Sequence, residues 1–138
     1  MTNVLNKDWH DLHDRQIRTY GNKANYKINS SSVILVGLSG GIGTEISKNL
    51  VLTGIKELFL CYDSCLTSDD IENGFYWNSN DLNKDCLKNK IKELNPYTNV
   101  FNYNDILTEE FLRNKVLVVV NKNFEECMKY NKLCEKSN

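Results

Sequence analysis

The chain has 138 residues, 41% of them hydrophobic, and 17 Lys and Arg stand against 18 Asp and Glu. That length makes one domain or a piece of one, with enough apolar residues to bury a core. A net charge of −1 without a Lys/Arg stripe excludes the usual footprint of nucleic-acid binding, and no run approaches the roughly 18 apolar residues of a membrane span.

The opening residues, Met1 to Asp8, lack the apolar stretch of a signal peptide. Cys61, Cys65, Cys86, Cys127 and Cys134 are odd in number and irregularly spaced, with no C-x-x-C pair. Neither a zinc site nor a disulfide framework is supported, so free and mostly buried thiols are expected, with no metal site.

In chain order, residues 8–20 read as a short helix. Asp8 caps it, Trp9, Leu12, Ile17 and Tyr20 supply apolar contacts, His10 and His13 face solvent, and Gly21 ends it. Residues 22–29 add one or two helical turns with Ala24 and Ile28 inward. Residues 33–37 form a first strand. Gly37, Gly40, Gly41 and Gly43 then read G-x-x-G-G-x-G and open a helix over 42–53. Ile42, Ile46 and Leu50 make its apolar stripe, widened by Val51 and Leu52. Glu45 is an acid in its first turn, and Thr53-Gly54 caps its end.

Residues 57–62 form a second strand, and Asp63 follows it, 20 residues after Gly43. Strand, glycine loop, helix and a downstream acid together describe the start of a nucleotide-binding βαβ unit. The glycines allow a tight turn, the free N–H groups of the helix favour an anion, and the acid bonds a ribose. The spacing is one residue longer than the usual G-x-G-x-x-G, and a strand–helix turn without a ligand is the plain alternative.

Residues 64–80 are polar and irregular. A lysine-rich helix over 83–94 ends at Asn95-Pro96, holding the chain's one proline. Residues 98–103 fit a third strand, and 107–112 a helical turn. By composition, 116–120 is a fully buried parallel strand. A last helix over 124–136 turns Phe124, Cys127, Met128 and Leu133 inward. The alternation predicts an α/β fold, a Rossmann-like doubly wound parallel sheet over 31–138 behind a helical N-terminal arm at 1–30. A strand normally follows a helix in such a sheet, so the sequence reads as an incomplete, C-terminally truncated domain from a longer protein.

Three segments resemble the ubiquitin-activating enzyme family and its ThiF/MoeB-like adenylation fold. They are Asp14-Arg15-Gln16-Ile17-Arg18-Thr19-Tyr20-Gly21, the helix running from Gly43-Thr44-Glu45-Ile46 to Gly54-Ile55-Lys56, and Glu93-Leu94-Asn95-Pro96. The resemblance covers roughly residues 9–136. It implies two paired adenylation halves: one binds ATP and Mg²⁺ and adenylates the carboxy terminus of ubiquitin or a ubiquitin-like protein, and the other keeps the fold without the site. This chain resembles the inactive half. The family's arginine after the second strand is missing, since none lies between Arg18 and Arg113. Asn121 stands where the family places a magnesium-binding aspartate, and Lys84 or Lys88 is the match for its phosphate lysine.

The resemblance further implies that Arg15 reaches in trans to ATP on the partner half, as an arginine finger. The plain alternative is an exposed residue in a surface ion pair. Gln16 orders the helix by hydrogen bonding. Gly37, Gly40, Gly41, Gly43 and Asp63 become a vestigial nucleotide site, and no cysteine reads as a nucleophile. Implied partners are the active half and ubiquitin or a ubiquitin-like protein, in cytoplasm and nucleus. Whether ubiquitin, SUMO or NEDD8 is served stays open. The rivals are an NAD(P)-dependent oxidoreductase, using the loop for pyrophosphate and Asp63 for ribose, and a non-catalytic interaction domain.

Overall fold

A computed structural model describes residues 7–38, 40–62 and 84–137. Asp63, Cys65 and the irregular stretch 64–80 lie outside the described residues.

Two helices lead, α1 (Lys7–Leu12) and α2 (Asp14–Ser30), followed by β1 (Ser32–Val36), α3 (Gly40–Leu52) and β2 (Glu57–Cys61). After them come α4 (Lys84–Glu93), β3 (Asn99–Tyr103), the single-turn α5 (Glu109–Leu112), β4 (Val116–Val119) and α6 (Phe124–Ser137). The four strands pair in parallel in the order β3-β2-β1-β4. Alternate residues of β1 and β2 face opposite sides. Val33, Leu35, Leu58 and Leu60 pack with Val51 of α3 and Leu87 and Ile91 of α4. Ile34, Val36 and Cys61 pack with Leu112 of α5 and with Tyr130 and Leu133 of α6. Helices on both faces make this a doubly wound, Rossmann-like α/β sheet.

The arm has more joints than the sequence suggests. His13 separates α1 from α2, and Gly21 sits inside α2 at φ 80 and ψ 165, a break between two helical halves. Trp9 is buried as expected, but Leu12 and Tyr20 are exposed. His13 corrects the solvated assignment. It is 3% exposed, its ring stacks on Trp9 at 4.4 Å, and its Nδ1–H donates to the Trp9 carbonyl at 2.9 Å. Its Nε2 lies against the Gly54 turn, 2.5 Å from where a Cβ at that glycine would stand.

The buried face of α3 keeps Ile46, Leu50 and Val51 of the expected stripe against the core but not its two ends. Gly43, Thr44, Ser47 and Val51 are buried, whereas Ile42 is 61% exposed and Leu52 is exposed. The reason is Gly43. A Cβ there would stand 2.7 Å from the Gly37 carbonyl oxygen and 2.9 Å from the Leu38 Cα, so only glycine lets this helix face meet the loop. The helix also starts earlier, at Gly40, which puts Glu45 in its second turn, paired with Lys48 at 2.6 Å.

The α3 C-cap holds, with Gly54 at φ 80. The end of α4 holds as well, where the buried Asn95 donates through Nδ2 to the Val51 carbonyl at 2.9 Å. β4 is not fully buried. Among the described strands it lies at the edge, beside β1, with Val116 exposed and Leu117, Val118 and Val119 half-buried. An edge strand exposes residues that an inner strand would cover. On α6 the inward residues are Tyr130, Leu133 and Cys134. Phe124, Cys127 and Met128 are exposed, because the helix meets the sheet through its middle and last turns rather than its first. The described cysteines form no disulfide with one another and are not mostly buried: Cys61 is buried, Cys86 and Cys134 are half-buried, and Cys127 is exposed.

Candidate functional site

In an open parallel sheet, ligands bind outside the carboxyl ends of the strands where the strand order reverses. Here that point lies between β1 and β4. β1 delivers Gly37 and Gly40, at φ 91 and 81, a left-handed geometry that suits glycine. Gly41 lies in the first turn of α3, whose leading N–H groups lack intrahelical acceptors. Gly43 does the packing job of the last glycine in such a loop, its missing Cβ letting α3 lie close against the Gly37 carbonyl and the Leu38 backbone.

From the other side of the crevice, β4 delivers Asn121. Its backbone is left-handed at φ 56, a conformation asparagine tolerates. Its Nδ2 lies 3.6 Å from where a Cβ on Gly40 would stand, so the amide is against the glycine loop. Lys122 and Glu126 pair at 3.2 Å. Asn123 and Glu126 form a reciprocal cap on α6: Asn123 Oδ1 accepts from the Glu126 N–H at 2.9 Å, and Glu126 Oε2 accepts from the Asn123 N–H at 3.2 Å. The Asn123 N–H first, then Lys122, hold the Glu126 carboxyl below the ordinary glutamate range.

Beyond β2, Tyr62 donates to Asn102 Oδ1 at 3.4 Å, Asn102 Nδ2 donates to Asp85 at 2.9 Å, and Lys88 pairs with Asp85 at 2.9 Å. Burial, then the Asp85 charge, push the Tyr62 phenol up. A cavity of 270 Å³ at these strand ends is lined by Val36, Cys61, Tyr62, Ile106, Leu107 and Tyr130 among others. The crevice therefore has an apolar recess and helix N–H groups. Asn121 offers a neutral amide rather than the carboxylate a hard cation prefers, and among the described residues no group of three or more His, Cys, Asp and Glu could hold a metal.

The structure brings Gly37, Gly40, Gly41 and Gly43 together with Asn121. It does not bring Arg15 to them. Arg15 is exposed on α2, and among the described residues it has no ion-pair partner, while Arg18 pairs with Asp14 at 2.9 Å. The next residue, Gln16, donates to the Thr53 carbonyl at 3.0 Å, which lies just past the C-terminal end of α3. The glycine loop lies at the other end of that helix. Thirteen residues at about 1.5 Å each put roughly 20 Å between the two ends. Asp63 lies outside the described residues. Sequence reasoning missed Asn25 and His13. The signal for His13 was available, since a glycine at a helix end also leaves room for a ring.

The ThiF family model matches residues 13–129. The chain is 31% identical over 134 residues to SUMO-activating enzyme subunit 1 of Dictyostelium discoideum, covering 92% of this chain and 40% of that protein. It is 36% identical over 141 residues to the DNA damage tolerance protein RHC31 of Saccharomyces cerevisiae, covering 97% and 40%. It is 32% identical over 127 residues to ubiquitin-like modifier-activating enzyme 1 of Homo sapiens, covering 89% and 12%. The chain thus spans well under half the length of these relatives. Among solved structures, E. coli tRNA N6-threonylcarbamoyladenosine dehydratase in complex with ATP superposes with a TM-score of 0.73 at 16% identity, covering 93% of this chain and 59% of that one. E. coli MccB with its MccA peptide superposes at 0.75 and 20% identity, covering 94% and 43%. These likenesses show the shared fold.

Proposed function

Because the chain belongs to the ThiF family, we propose that it is the non-adenylating half of a paired enzyme that activates ubiquitin or a ubiquitin-like protein. In this reading the partner half binds ATP and magnesium, and its crevice carries the chemistry. There the carboxylate of the modifier attacks the α-phosphorus, and pyrophosphate leaves as the acyl-adenylate forms. This chain contributes Arg15, whose planar guanidinium stabilises the charge on the triphosphate. The cytoplasm and nucleus are the proposed setting. Its own Gly37, Gly40, Gly41, Gly43 and Asp63 are a vestigial nucleotide site.

The observation that carries the reading is the placement of Arg15. It is exposed, it has no ion-pair partner among the described residues, and its helix docks at the end of α3 about 20 Å from the chain's own glycine loop. An arginine held there cannot serve its own crevice, but it is available to a partner's. The amide of Asn121 supports the same division of labour. Family membership favours this reading over a nicotinamide-dependent oxidoreductase.

The test is single-turnover adenylation by the full enzyme, assembled with its partner half. Arg15→Ala leaves assembly intact and slows adenylate formation about 100- to 1000-fold, the cost of removing one preorganised donor. Arg15→Lys recovers part of that rate, since the charge returns without the planar fork. A wild-type rate for Arg15→Ala contradicts the proposal.

A further inference from the structure

We infer that Asn25 is a positioning residue for Arg15, acting through Gln16; this rests on the in trans reading of Arg15 above. Asn25 is 3% exposed, although it is a polar residue on a mostly exposed arm. Each of its side-chain groups has a partner. Nδ2 donates to the Gly21 carbonyl at 2.9 Å and to the Gln16 carbonyl at 3.3 Å, and Oδ1 accepts from Gln16 Nε2 at 2.8 Å. The same Gln16 Nε2 donates to the Thr53 carbonyl at 3.0 Å, so both of its N–H groups are committed.

The bond to Gly21 spans the break in α2. Gly21 has open space around it, with nothing within 4 Å of an added Cβ, and its backbone freedom leaves the angle between the two helical halves soft. Asn25, from the second half, holds both the carbonyl of the break and the backbone and side chain of Gln16 in the first. The second half has its own anchors on the sheet layer: Ile28 packs on the core, and Asn29 Nδ2 donates to the Gly54 carbonyl at 3.3 Å. Removing Asn25 therefore takes away the bonds that tie Gln16 and the Gly21 carbonyl to the second half, so the half that bears Arg15, still seated through His13 against the Gly54 turn, shifts its angle relative to the second. Arg15 is the immediate neighbour of Gln16, so a shift of that half moves the guanidinium directly.

The test uses the full enzyme with its partner half and whichever of ubiquitin, SUMO or NEDD8 the wild type adenylates. Asn25→Ala and Gln16→Ala each slow single-turnover adenylation by about 10- to 100-fold, the scale of an ångström's misplacement of a reacting group. KM for the modifier is unchanged. Combined with Arg15→Ala, neither variant slows the reaction beyond Arg15→Ala alone, because both act through the same guanidinium. If Asn25→Ala does not assemble, Gln16→Ala decides, since Gln16 is only half-buried. A wild-type rate for these variants while Arg15→Ala is slow overturns the inference, as does a cost that multiplies with that of Arg15→Ala. A wild-type rate for Arg15→Ala overturns instead the reading beneath it, and the inference with it.

Discussion

Gly43 shows that one glycine of a phosphate-type loop is there for packing as much as for the ligand. In the sequence it belongs to a loop suited to phosphate. In the structure its missing side chain lets α3 sit on the Gly37 carbonyl and the Leu38 backbone. That contact sets the rotation of the helix and turns Ile42 out to solvent. Periodicity chose Ile42, Ile46 and Leu50, of which Ile46 and Leu50 do pack on the core; it missed Gly43, Thr44 and Ser47, because small buried residues leave no mark in such patterns. Gly43→Ala forces a Cβ into rigid backbone and costs about 2 kcal/mol or more. Ile42→Ala costs under about 0.5 kcal/mol, as an exposed position does. Urea unfolding of the two variants checks the pair; the opposite order would restore the stripe read from sequence.

At the scale of elements, type and order were legible where local signals were strong. The β-branched runs gave the strands, Gly54 marked the end of α3, and Asn95-Pro96 marked the end of α4. Burial was less legible. The run from Val116 to Val120 reads as an inner strand, yet β4 lies at the edge among the described strands, because composition does not report strand order. Phe124, Cys127 and Met128 looked inward for a similar reason: the contact phase of α6 is set by where the helix crosses the sheet. The start of α6 carries its own prediction. The Glu126 carboxyl is held low by the Asn123 N–H and by Lys122. A depressed native value stabilises the folded cap above the ordinary glutamate range and loses that contribution as pH falls through the native value. The Asn123 amide is thus protected from hydrogen exchange at neutral pH. That protection, corrected for intrinsic exchange, declines below about pH 4.3. Glu126→Gln abolishes the pH dependence, and an unchanged profile in that variant would contradict the cap.

For the molecule as a whole, the alternation of helix and strand was enough to give a doubly wound parallel sheet, and the strand order then located the crevice. Half of the site was legible for the same reason. The glycine loop is contiguous in sequence, and Asn121 follows a recognisable strand. The arm was legible as a helix bearing Arg15. The Asn25 and Gln16 clamp was not: Gly21 marks the break in sequence, but not which side chains, nine residues apart, bridge it. The assembled picture is a chain that keeps the adenylation fold, places an amide against its own glycine loop, and presents an arginine at the far end of α3. In the proposed reading this half does no adenylation itself. The most direct measurement is ATP–pyrophosphate exchange by this chain alone, with Mg²⁺ and with ubiquitin, SUMO and NEDD8 in turn. The expected result is exchange at background with all three. Exchange above background with any of them, lost on Asp63→Ala, would contradict that reading.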